Sequence, residues 1–529
     1  MASSYTKAGS TAAINSEISP ATLSSPANPA MTINAARSAD FSAGVSADIS
    51  AGITAGSSAV TSQISQSGPG ASGPSDPGLD APALRATLER LAAAAGIRQW
   101  DLGAACSSDT SVQVDRGEAK QMKGAQRSSI TLRVWNADGL VGITSTSDLS
   151  ESGLERALGG AQEAASFGNA ADTPQFSPLA TAALQPLEQP LQEPLGILKL
   201  LATLRDAEAQ LLGRHPAIGT VPYNGLAERI SEHIYLNSDG ACRQQLQSTA
   251  SIYLYARAEQ EGRKPRSAGA MRLAYGAAAL DLAGCIDEAA ELTISHLDYA
   301  PISTGRYTCV FSPEAFLDLI SAFSSMFNAR AVLDGVSLSN RESLGQSLAV
   351  PFFNLQDNGL HPGNIGARSF DGEGTPIQRL SLVDAGVLSN FLHSEATARA
   401  FGVAPSGHAG LGAKVSVGPN WLEIGPTPGS GGGQQGLNRY ASGNGAIVWI
   451  DSLSALHAGV KASQGSFSLP FDGWLVKDGE RRSIEAATVA GDIRSLLNCI
   501  VGFEGEAKVS PDGLCPHVWV EGLSITGEA

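Results

Sequence analysis

Apolar residues recur along this chain in two different rhythms, and the alternation between them sketches the fold. Leu84, Leu88 and Leu91 fall on one face of a helix that Asp80 can cap, with Pro82 in its first turn and Gly96 at its end. A period of two follows. Ser111 to Asp115 is a short extended segment, and Ile130, Leu132 and Val134 point one way along Ser128 to Trp135. Asn136-Ala137-Asp138-Gly139 supplies turn chemistry, so Leu140 to Thr144 is expected to return as the hairpin partner. Helical rhythm resumes over Ser150 to Phe167, with Leu154, Ala157, Leu158, Ala161 and Ala165 in a stripe.

Prolines at 174, 178, 186, 190 and 194 make residues 171–195 a connector that neither helix nor central strand tolerates. Beyond it, Ile197 to Leu212 reads as an amphipathic helix. Strands are expected at Glu232 to Leu236, Gln245 to Arg257 and Ala268 to Tyr275, with a solvated polar tip at Glu261-Gly262-Arg263-Lys264. A helix from Asp281 to His296 closes this unit. The last stretch opens with a strand, Tyr307 to Phe311, and a helix from Pro313 to about Phe327, capped by Ser312. Glycine-punctuated β segments then dominate, at Ser381–Val383, Ile447–Ile450, Gly473–Lys477 and Val518–Val520. The expected class is α+β: mixed units at 81–170 and 196–299, then a β-rich domain at 300–529.

Composition changes the picture at one place. Of the first 80 residues, 54 are Ser, Ala, Gly, Thr or Pro, and Tyr5 and Phe41 are the only aromatics. Such a segment has too little apolar side chain to offset the entropy of ordering it, so 1–80 is expected to be a disordered leader. It lacks the basic start and apolar run of a secretory signal. The whole chain of 529 residues carries a formal charge of −16, of which this segment holds −3. Acidity of that size argues against direct nucleic-acid binding, and no run of eighteen apolar residues offers a membrane span. Six widely spaced cysteines form no C-x-x-C pair, which fits a reducing cytoplasm better than a disulfide or zinc framework.

Candidate chemistry is sparse. There is no G-x-S-x-G elbow. Gly431 to Gly436 formally fits G-x-G-x-x-G, but Pro426 and Pro428 precede it and no helix formers follow, so a flexible loop is expected rather than a dinucleotide site. The eight histidines are scattered, no two of them three to five residues apart, so none presents a paired metal site on a helix. The densest polar cluster runs from Arg368 to Pro376. Asp371 and Glu373, two apart, could place both carboxylates on one side for acid/base work or a cation. They could equally be loop carboxylates paired with Arg368 or Arg379.

Several segments, taken in order, resemble the TldD/PmbA family over roughly residues 85–527. They are Asp115-Arg116-Gly117 through Val134, the turn Asp138 to Gly142, Gly366 to Gly374, Asp384 to Leu388, Gln464 to Ser468, Gly473 to Gly479 and Ala487 to Ile493. The resemblance implies a protease of two paralogous subunits, cytoplasmic in location. In the TldD-like subunit a helix bears H-E-x-x-x-H, which supplies zinc ligands and a general base. Here the corresponding helix, Pro313 to Phe327, holds Glu314, Asp318, Ser321, Ser324 and Ser325 but no histidine. The chain therefore resembles the PmbA-like (TldE-like) half. That implies no catalytic, cofactor or metal residues in this chain, zinc in a TldD-like partner, and a peptide or unfolded protein as substrate. Phe370, Asp371, Glu373 and Gly374 are the residues the resemblance assigns to shaping a substrate cleft. A homodimer, a binding or regulatory scaffold of the kind tied to gyrase modulation, and an independent hydrolase using Asp371 and Glu373 are the alternatives. The leader, the Gly429–Gly433 loop and His408, where a small or amide residue is more usual, depart from the family pattern.

Overall fold

A computed structural model describes residues 79–168, 173–412, 415–440 and 445–527. The expected leader, apart from Leu79 and Asp80, lies outside the described residues.

The chain is α+β, with a strand-rich C-terminal part. Helix α1 (Ala81–Ala94) starts as its sequence dictates: the Asp80 carboxylate accepts the Ala83 N–H, and Pro82 occupies the first turn. Strands β1 (Gln99–Asp115) and β2 (Glu118–Trp135) form a hairpin far longer than the periodicity indicated. Arg116 and Gly117 close it, both at positive φ, and their N–H groups donate to Glu208. The Asn136 turn leads into β3 (Val141–Thr146), and the Asn136 side chain accepts the N–H groups of Asp138 and Leu140. Helix α2 (Glu151–Ala165) follows, capped by Ser150.

After the connector come α3 (Ile197–Arg214), β4 (Ile218–Asn237), β5 (Cys242–Ala258), β6 (Arg266–Ala274) and α4 (Leu282–Ser295). The two α+β units share one antiparallel sheet, ordered β3-β2-β1-β4-β5-β6. The join is the β1–β4 ladder, Leu102 opposite Leu236 and Val112 opposite Leu226. One face of this sheet is apolar and carries the helices: Leu102, Ile130, Leu132, Leu204, Leu211, Ile252 and Leu254 are all fully buried there. The other face is polar, with Ser107, Asp109, Arg229, Ser231, His233, Gln245 and Gln247. It turns towards the C-terminal part, for Gln247 donates to the Ile365 carbonyl and Gln245 to that of Ala367.

The second sheet has thirteen strands among the described residues. Its centre is β7 (Gly305–Phe311), flanked by parallel β8 (Ile447–Leu453) and by antiparallel β10 (Gly513–Gly527); β9 (Ser466–Lys477) pairs with β8. Helix α5 (Pro313–Ala322) leaves β7 immediately, with the Ser312 hydroxyl capping Ala315. It stops five residues short of the expected end, at Ala322, and the chain continues as a 3-10 turn over Ser324–Phe327, where Met326 and Phe327 are buried. The expected flexible loop at 431–436 is instead a 3-10 turn and a short helix. They lie against Val501 so closely that a Cβ on Gly433 or Gly436 would meet its carbonyl at 2.4 or 2.3 Å. The 261–264 tip is tied down as well: Arg263 donates to the Leu297 carbonyl, and Arg266 beyond it to Ile484 and Glu485.

Candidate functional site

The seam between the polar face of the first sheet and the C-terminal domain holds two groups of carboxylates, one at each end of β4.

At the Tyr235 end sits the turn predicted from sequence. Phe370, Asp371, Glu373 and Gly374 are brought together and buried against β4, with Phe370 packed in a small cluster with Tyr235, Ala241 and Ala180. Gly374 has φ +75°, and a Cβ there would lie 2.4 Å from the Tyr235 ring, so conformation and space both require glycine. Asp371 Oδ1 accepts the N–H groups of Glu373 and Thr375, and Oδ2 accepts that of Ala409. Glu373 Oε2 accepts the Glu395 N–H, and Oε1 lies 3.3 Å from Arg133. Arg133, from β2, is fully buried and also engages Asp101 at 2.5 Å, while the Tyr235 hydroxyl donates to the same carboxylate. The partner of Glu373 is therefore Arg133; Arg379, one expected from sequence, pairs with Glu423. Burial pushes Asp371 up to about 6 and Glu373 to about 7; for Glu373 the Arg133 guanidinium pulls the other way, and the Asp371 and Asp101 carboxylates add to the rise. Every oxygen of the Asp371–Glu373 pair has a protein partner.

A third buried group lies close by. His408 Nε2 is 3.0 Å from Asp357 Oδ1, and Nδ1 is 2.8 Å from Ser406 Oγ. The order is that of a nucleophilic triad. All three residues are inside, though, and Ser406 Oγ is already engaged with both the N–H and the carbonyl of His393. This network anchors loops and offers no hydroxyl to a substrate.

At the other end of β4 the seam opens into a pocket. Tyr223 and Tyr255 come from β4 and β5, Ser267 to Gly269 from β6, Leu292 from α4 with His296 just beyond it, and Asp451, Ser452 and Asp472 from β8 and β9. A β-bulge explains why Asp451 and Ser452, adjacent in sequence, both line it: Ile450 pairs with Gly473 and Ser452 with Asp472, leaving Asp451 as the extra residue. His296 stacks on Trp474 at 4.8 Å and contacts Ser483 Oγ through Nδ1 at 2.9 Å. Burial, with Arg266 and Arg481 adding to it against Asp472, drops His296 to about 4, so the ring is neutral near pH 7. Asp451 is pushed up to about 7, by burial first and by Glu314 and Asp472 next. Neither Asp451 nor Asp472 was singled out from sequence. The available signal was an aspartate inside each of two apolar β runs, Ile447 to Leu453 and Phe467 to Leu475.

Helix α5 begins at the pocket's edge, where Ser312 Oγ donates to the Asp451 carbonyl at 2.6 Å. Its inward residues Ala315, Phe316, Leu317, Leu319 and Ile320 are buried in the apolar core.

Residues 107–165, 188–297 and 304–527 match, in order, domain 1, the central domain and the C-terminal domain of the PmbA/TldA metallopeptidases, the family written TldD/PmbA above. The chain belongs to this family. Among curated relatives, the metalloprotease PmbA of Escherichia coli O157:H7 is 24% identical over 251 residues, 46% of this chain. A metalloprotease PmbA homolog of Haemophilus influenzae is 23% identical over 247 residues, again 46% of this chain. Each alignment covers 50% of the relative, so the chain spans about half the length of the curated relatives it matches. Among solved structures, a Thermotoga maritima protein described as a candidate modulator of a DNA gyrase superposes with TM-score 0.74 at 24% identity. It is matched over its whole length and 84% of this chain. TldE from Thermococcus kodakarensis gives 0.71 at 17% identity, over 99% of its length and 84% of this chain. At those identities the likeness is one of fold.

A metallopeptidase family implies a metal, and the donor set here does not fit a catalytic zinc. Helix α5 carries no imidazole and turns an apolar face inward, and among the described residues no three His, Cys, Asp or Glu side chains are placed to hold one metal ion. The described residues also contain no helix long and apolar enough to cross a membrane.

Proposed function

We propose that this chain is the non-zinc, PmbA/TldE-like subunit of a heteromeric peptidase, working with a zinc-bearing TldD-like paralogue on unfolded or flexible peptides. The observation that carries this reading is helix α5. It stands in the family's framework directly after the central strand β7, yet its inward face is all hydrocarbon, so the chemistry of a Lewis acid and an activated water falls to the partner. The chain's contribution is the seam: a polar sheet face and strand edges along which a peptide can be held extended. Phe370, Asp371, Glu373 and Gly374 set how the two sheets dock, and thereby shape that cleft from behind. All six cysteines are unpaired, which suits work in the reducing cytoplasm. The competing reading, a regulatory scaffold, is favoured by the gyrase-modulator description of the Thermotoga neighbour.

Co-expression with a TldD-like paralogue from the same genome separates the two. The lone chain is expected to purify without stoichiometric zinc and to leave an unfolded reporter peptide intact, whereas the mixture co-elutes and cleaves it. Zinc and cleavage in the lone chain would overturn the proposal, and a stable chain that never binds the paralogue would favour the scaffold.

A further inference from the structure

The pocket at the Tyr223 end of β4 has a charge pattern that a resident side chain leaves unanswered. Among the described residues, neither the Asp451 nor the Asp472 carboxylate accepts a hydrogen bond or makes an ion pair, although both line the pocket. The cations nearby are engaged elsewhere: Lys508 bridges Glu288 and Glu314, Arg266 donates to the carbonyls of Ile484 and Glu485, and Arg481 lies over the Trp474 ring at 3.6 Å. A second observation is independent of the acids. His296 is only 3% exposed and lines the same pocket, and while its Nδ1 is held by Ser483, its Nε2 has no hydrogen-bond partner among the described residues. Two tyrosines complete the walls and can present ring faces to a cation.

We infer that this pocket is a subsite for the cationic head of a peptide, an ammonium or guanidinium seated between Asp451 and Asp472, with His296 Nε2 and the two tyrosines around it. The inference rests on the proposed function, for it names the class of peptide that the seam would select. The bulge at Asp451 is what makes the pairing possible, since regular alternation would send Asp451 and Ser452 to opposite faces. A metal ion is a poorer match for the same pocket, because among the described residues Asp451, Asp472 and His296 are not close enough together to ligate a single ion. The ammonium could belong to a lysine or to the peptide's own amino terminus.

Isothermal titration of the full-length chain alone, with no partner and no cleavage to observe, separates this inference from the fate of the proposed function. The probes are acetylated, amide-capped Ala-Ala-Lys-Ala-Ala, its norleucine isostere, and the norleucine peptide with a free amino terminus. At pH 8 and low salt the lysine peptide should bind at least about tenfold more tightly than the capped norleucine peptide. Asp451→Asn and the isosteric Asp472→Asn should each erase that preference. Asp384→Asn, an exposed charge in a distant turn, should keep it. Moving to pH 6 should weaken the lysine peptide, as a proton on Asp451 competes with the cation. The groups facing that proton are Glu314, Asp472, Arg481 and Lys508 for Asp451, and Asp472, Arg266 and Arg481 for His296. A free-amine norleucine peptide that binds as well as the lysine peptide would assign the subsite to the amino terminus. Equal binding of the capped lysine and norleucine peptides, no binding of any probe, or a preference that survives in the double Asp451→Asn/Asp472→Asn variant would overturn the inference.

Discussion

Two pairs of acids sit at opposite ends of one strand, and the protein treats them in opposite ways. Asp371 and Glu373, at the Tyr235 end of β4, have each oxygen met by a backbone N–H or by Arg133. The Asp451 and Asp472 carboxylates, at the Tyr223 end, accept no hydrogen bond and form no ion pair among the described residues, and feel charges only at a distance. Both members of the first pair and Asp451 of the second are pushed up by burial, so raised proton affinity alone does not tell structure from function. The distinction lies in the satisfied oxygens. A carboxylate that spends its lone pairs on the protein holds a joint together, whereas one that keeps them open towards a pocket has its partner still to come.

The largest expected effect comes from breaking the satisfied end. Arg133→Met keeps the apolar stem of the side chain and removes the guanidinium that pairs with Asp101 and Glu373 beside the Tyr235 hydroxyl. Removing one partner of a buried ion pair costs about 3–5 kcal/mol, because the remaining charges stay desolvated. Urea denaturation at pH 7 should show a loss of that size, with the docking of the two sheets weakened first. A loss below about 1 kcal/mol would mean that the network is a by-product of the fold rather than a clasp.

The open end should respond with the opposite sign. Asp451 holds its proton up to about 7 in the folded protein, well above an ordinary aspartate. A raised acid contributes its stability at pH values below the unfolded value, and that contribution is lost as pH rises through the folded one. Asp451→Asn removes the ionisation and hence the loss. The variant should match the parent near pH 4 and exceed it at pH 8 by about 1–3 kcal/mol, the range allowing for the pocket's solvent. Urea curves across that interval measure it. Stabilisation here, paired with abolished lysine-peptide preference, is the signature of a site kept at a cost in stability.

The contrast between the two ends also explains what could be read without coordinates. Caps and turns are local chemistry, so Asp80 with Pro82, Ser150, Ser312 with Pro313 and the Asn136 turn all stand where their residue types demand. Strand length was hidden because the apolar stripe breaks off along β1 and β2: Ser108, Thr110, Gln126 and Ser128 stand in register with Leu102, Cys106, Ile130 and Leu132, so both faces are polar there and the alternation lapses inside the strands. The Asp371–Glu373 pair was visible as a cluster, but its true partner is 240 positions away on β2, and no spacing rule spans that distance. Asp451 was hidden for a different reason. Its placement depends on a one-residue bulge, and a bulge leaves no mark in the hydrophobic pattern.

The smallest expected effect concerns Lys508, which tests whether the open end is tuned from outside. Its ammonium lies 3.4 Å from Glu288 on α4 and 3.2 Å from Glu314 on α5, all three side chains a third to a half exposed. Bridges of that exposure contribute about 0–1 kcal/mol, so Lys508→Met should barely change stability at neutral pH. Its field reaches further than its contacts, because Lys508 draws the Asp451 proton affinity down while Glu314 draws it up. Without the lysine, only Arg481 still opposes Glu314 and Asp472, and the pH midpoint of the Asp451-dependent loss of stability should move up by a few tenths of a unit. Following that midpoint at low salt and again at about 0.5 M NaCl separates field from packing. Salt should erase most of the shift, because the charges are exposed and the Debye length falls to about 4 Å. A shift that persists in high salt would place the coupling in the local packing around the Lys508 side chain, and the pocket's open carboxylates would then owe their state to shape rather than to charge.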